Sequence, residues 1–198
     1  MQKDRLLRSW EKAALLALCL TLLWGTWASA RQQSIAAGLV RLHVIAASDE
    51  EAEQALKLRV RDAVLAYLRP VLSETKSAED ARALLRQELP ALARTAQAAA
   101  EGRSVRLILG REDYPLRRYG GFSLPAGRYE SLRVVLGEGE GQNWWCVIFP
   151  TLCLDAGETE ALEAALGPED YAFITGEEGF SLRFRLVELW GELLSALR

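Results

Sequence analysis

Histidine and methionine each occur once in this chain of 198 residues, and cysteine only three times. A lone histidine, His43, cannot build a His-rich metal centre. There is no basic excess: 24 lysines and arginines face 27 acidic residues, a net charge of -3. That balance argues against a general nucleic-acid binder. No low-complexity linker and no internal repeat divide the chain, and half of its residues are apolar. One globular domain with a moderate core follows.

The one long uncharged run is AALLALCLTLLWGTWASA, Ala13 to Ala30. It follows Lys3, Arg5, Arg8 and Lys12, and it ends in the small residues Ala28-Ser29-Ala30. A basic start, an apolar run and a small-residue end form an export signal, with cleavage expected after Ala30. The full run reaches the minimum of about 17 residues for a span, so residues 1–30 read as a signal peptide or an N-terminal anchor. In both cases residues 31–198 lie outside the cytoplasm that made them, because the positive flank stays inside. Cys146 and Cys153 then sit in a non-reducing compartment, where they can form a disulfide.

The rest of the sequence alternates between helix and strand signals. GLVRLHVIAA, residues 38–47, has a period of two and predicts a strand with Arg41, His43 and Ile45 in phase. Ser48-Asp49-Glu50-Glu51 matches a capping box for a helix that Pro70 should stop near Leu68. Lys57, Arg59 and Arg61 are expected mainly off its apolar stripe. Ser77 opens a second helical region reaching about Gly102, which Pro90 should kink or split. From Ser104 the texture is β. SVRLILG, RYESLRVVLG and WWCVIF read as strands, and the last two are expected to pair as a hairpin through GEGEGQN. Glu158 to Leu166 predicts a short helix closed by Gly167-Pro168, and a C-terminal amphipathic helix starts near Ser181. The fold class is α+β: a single compact domain, a mostly antiparallel sheet packed by helices.

Few residues offer chemistry. The glycines of GEGEGQN, residues 137–143, alternate with Glu138 and Glu140, which repel phosphate, and no lysine follows. The loop also lacks the oxygen-rich spacing of a calcium loop. Cys146 lies among large apolar residues, with no local charge to make a thiolate. His43 has no nucleophile matched to it by spacing, although an extracytoplasmic hydrolase using His43 with Cys146 or a carboxylate stays open. A wall-binding module using Trp144 and Trp145 is a further alternative. No catalytic, cofactor or metal residues are assigned. The candidate partner contacts are Arg41, His43 and Asp49 around the first strand–helix turn, with Trp144 beside the glycine loop.

RLHVIAASD, then QALKLRVRDAVL, then LPAGRYESLRVVLGEGEGQNWWCVIFPTLC resemble the stage II sporulation protein R family of endospore-forming Firmicutes. The likeness covers residues 39–155 and, more loosely, FRLVELW. It departs at Ala47, where the family usually carries asparagine. The resemblance implies a signalling protein rather than an enzyme. Such proteins are made in the forespore and exported into the space between forespore and mother cell. The partner it implies is a membrane-embedded aspartic protease of the mother-cell membrane, which then cleaves the pro-form of sigma factor E.

Overall fold

The computed structural model describes residues 2–119, 121–150, 158–176 and 189. The fold runs α1 (Gln2–Ala37), β1 (Val40–Ile45), α2 (Glu51–Leu72), α3 (Ala78–Ala99), β2 (Val105–Tyr114) and the short strands β3 (Arg117–Arg118) and β4 (Ser123–Leu124). It continues through β5 (Gly127–Leu136), β6 (Asn143–Phe149), α4 (Glu158–Leu166) and α5 (Pro168–Thr175). The class is α+β, with a four-stranded mixed sheet in the order β2-β5-β1-β6. Two of its three pairings are antiparallel; β1 and β5 are parallel.

The expected β5–β6 hairpin does not form, because β1 lies between the two strands. The reason is burial. Five of the six β1 residues, Val40 to Val44, are buried, and only a central strand is covered on both faces and both edges. The glycine loop therefore bridges two strand spacings, roughly 10 Å, which a two-residue hairpin turn cannot do.

One face of the sheet is apolar. Leu42, Val44, Leu132, Val134, Leu136 and Ile148 pack there on α2 and α3. Ser77 caps α3, accepting a hydrogen bond from the Asp80 amide at 3.1 Å. The capping box at α2 is not made. The Ser48 hydroxyl accepts from the Glu50 amide instead, and Glu50 occupies the cap position without a side-chain bond. Neither proline breaks its helix: α2 runs on past Pro70 to Leu72, and α3 is continuous through Pro90. Pro90 and Arg86 are both exposed, so the carbonyl that the proline leaves unpaired faces water. Lys57 also departs from expectation, being 5% exposed.

The opposite face carries Arg41 and His43, and its lower end is covered by a second core. Ile35, Leu39, Tyr129, Val147, Leu162 and Phe173 meet there. The last turns of α1 belong to this core. Arg31 pairs with Asp170 at 2.9 Å, and Ser34 donates to the same carboxylate at 2.7 Å. Helix α1 crosses Ala30 without a break. Its stretch Arg8–Ala37 is long and apolar enough to cross a membrane, with a mean hydropathy of 1.7 over an 18-residue window. Helix α5, which the sequence pattern did not reveal, starts at Pro168 after Gly167 and ends at the left-handed Gly176. Cys153 and most of the expected C-terminal helix lie outside the described residues.

Candidate functional site

Alternation along β1 puts Arg41 and His43 on the same side of the sheet, away from α2 and α3. His43 stands at the centre. Its Nδ1 lies 2.9 Å from Glu112 Oε1 on β2, and its Nε2 lies 2.8 Å from Asn143 Oδ1 at the start of β6. Its ring is 5.3 Å from that of Trp145 and 6.1 Å from that of Tyr114. Burial pushes the Glu112 carboxyl up. Hydrogen bonds from His43 and Ser131, with the charges of His43 and Arg133, outweigh burial and hold it below its ordinary value. The array is closed: protein oxygens occupy both ring nitrogens, so neither is open to take a substrate proton.

Cys146 does not join it. The register pairs Cys146 with Leu42, on the helix-covered side, whereas His43 pairs with Trp145 on the other. Cys146 is also disulfide-bonded, and the exposed Cys19 is free. The His43–Cys146 dyad is therefore excluded by geometry.

Arg41 is fully buried, which corrects its reading as an exposed contact. Its guanidinium carbon lies 3.8 Å from the Tyr114 ring centre and 4.9 Å from that of Tyr129. Its Nη2 donates to the Tyr119 hydroxyl at 2.6 Å. The phenols of Tyr114 and Tyr129 are pushed up by burial. Arg117 on β3 lies over Trp145, its guanidinium carbon 3.4 Å from the ring centre. Burial, and then Arg41, lower the Arg117 pKa.

The glycine loop forms a separate clasp over the end of β1. The Gly141 amide donates to the Ala46 carbonyl at 3.0 Å, and the Glu140 amide to that of Ala47 at 3.3 Å. Asp49 accepts from the Gln142 amide at 2.7 Å, and Lys57 donates to the Gln142 carbonyl at 3.1 Å. Burial holds the Lys57 ammonium below its ordinary pKa. Gly137 and Gly139 have φ of +56° and +74°, the left-handed conformation that glycine adopts freely.

Of the four candidate contacts, the structure brings only Arg41 and His43 together. Asp49 serves the loop. Trp144 points to the helix side, where Arg61 lies 5.0 Å from its ring centre. Trp145, marked by the sequence only for wall binding, completes the site with Glu112, Tyr114, Ser131 and Asn143, none of which the sequence marked as a candidate. The alternation of β2, in which Glu112 and Tyr114 are in phase, was the available signal; nothing local marks the others.

These features define a class: an α+β domain led by an apolar helix of membrane-spanning length, consistent with export. The protein belongs to the stage II sporulation protein R family, whose model matches residues 36–159. It is 36% identical over 129 residues to the stage II sporulation protein R of Bacillus subtilis (strain 168). The match covers 63% of this protein and 58% of that relative. No solved structure matches it.

Proposed function

We propose that this protein is an intercompartmental signal of sporulation. It is exported from the forespore and activates a membrane-embedded aspartic protease of the mother-cell membrane, which then processes the pro-form of sigma factor E. Family membership carries this reading. The apolar α1 supports export, and the closed His43 array supports action by binding rather than by catalysis. Activation is a population shift: the signal binds the active form of the protease more tightly than the inactive form. Co-expression of this protein with the protease and the pro-sigma factor should yield cleaved sigma factor. Equal cleavage without this protein would refute the reading.

One observation favours a second reading, an extracytoplasmic hydrolase built on His43 and a carboxylate. His43 and Glu112 are 2.9 Å apart, the geometry of an acid–base pair. His43→Gln separates the two. Lost signalling in a folded variant that still binds the protease supports the hydrolase, and retained signalling rules it out.

A further inference from the structure

Six arginines with solvent access, Arg31, Arg59, Arg61, Arg103, Arg111 and Arg133, each meet a carboxylate. Arg41 is 0% exposed and meets none among the described residues. Its Nε and Nη1 are buried without a hydrogen-bond partner, and so is Nε of Arg117. This inverts the usual economy, because a surface guanidinium is satisfied by water while a buried one needs a counter-ion. Aromatic rings lie within cation–π distance of both guanidinium groups: Tyr114 and Tyr129, themselves 5.8 Å apart and nearly perpendicular, for Arg41, and Trp145 for Arg117. Cation–π contact offsets part of the lost hydration. It leaves the in-plane N–H edges unsatisfied, and it leaves two positive groups close enough for Arg41 to lower the Arg117 pKa.

We propose that Arg41 and Arg117 form a receptor for a peptide carboxylate, an Asp or Glu residue or a C-terminal carboxylate supplied by the protein's partner. The orphaned N–H groups lie on the edges of the guanidinium planes, and a planar carboxylate matches such an edge. One negative charge between the two cations relieves their repulsion and satisfies the orphaned donors together. Tyr119, which accepts from Arg41 Nη2, and Arg117 are both half-buried, so a ligand that reaches Arg41 must displace their side chains. The identity of the partner rests on the signalling reading; the receptor itself does not.

The test uses the full-length protein in a non-ionic detergent and follows thermal unfolding as N-acetylglutamate is added. N-acetylglutamine and inorganic phosphate, at matched ionic strength, are the controls. N-acetylglutamate should raise the unfolding midpoint, and both controls should leave it unchanged. Arg41→Met and Arg117→Met should each weaken the response about tenfold or more, the scale of one lost charge-assisted hydrogen bond. An equal rise with N-acetylglutamine, an equal rise with phosphate, or undiminished responses in the variants would each overturn the proposal. Should Arg41→Met not fold, Arg117→Met decides alone. The assay contains no protease, so its failure would leave the signalling reading standing.

Discussion

Gly141→Ala tests the clasp that holds the glycine loop on β1. A Cβ at this position would lie 2.3 Å from the Ser48 carbonyl oxygen and 2.5 Å from its carbon. Both are backbone atoms, so no flexible group is there to swing aside. Ordinary contact requires the loop to retreat by roughly 1 Å. That movement breaks the Gly141–Ala46 and Glu140–Ala47 bonds and strains the Asp49–Gln142 bond. At about 1 kcal/mol for each hydrogen bond, the loss is about 2–4 kcal/mol. For a protein of this size the midpoint should fall by roughly 5–15 °C. Gly110→Ala is the control: a Cβ there meets nothing within 4 Å, and the expected change is about 0.5 kcal/mol or less. Calorimetry on both variants is the assay. A Gly141→Ala protein that melts with the wild type would show that the clasp contributes no stability.

Arg41→Met removes a buried charge that has no carboxylate partner among the described residues, so it should stabilise the fold by about 1–3 kcal/mol, read as a higher unfolding midpoint. A large fall would mean that the tyrosine box satisfies the guanidinium fully. Glu112→Gln should alter acid sensitivity. The Glu112 carboxyl lies below its ordinary value of 4.5 in the folded protein, so its contribution is complete above 4.5 and is lost as pH falls through the lower folded value. The stability gap between wild type and Glu112→Gln, measured by denaturant unfolding, should therefore shrink below pH 4.5; a constant gap from neutral pH downward would refute this. Asp49→Ala deprives the Gln142 amide of its acceptor and should lower stability by about 1 kcal/mol in the same assay.

Much of the fold could be read locally. The alternation of residues 38–47 marked β1, Ser77 marked the start of α3, and Gly167-Pro168 marked the end of α4. Strand order could not be read, because it is a long-range property. The same apolar residues that suggested a β5–β6 hairpin also suit two strands flanking β1. Burial of charge was equally hidden. Arg41 lies in an alternating strand, yet what covers it comes from Tyr114, Tyr119 and Tyr129, more than seventy residues on. Lys57 looked like a surface lysine because the Gln142 carbonyl it serves belongs to a distant loop. The register puts Trp144 and Trp145 on opposite faces, and only the structure tells which one meets His43.

We propose that this protein signals by binding a protease from outside the cytoplasm. The most direct test adds the purified protein to vesicles carrying the protease, with the pro-sigma factor on the cytoplasmic side. Cleavage should saturate with added protein and appear only when the protein is on the extracytoplasmic face. Cleavage that is independent of the protein, or that occurs equally from either face, would contradict it.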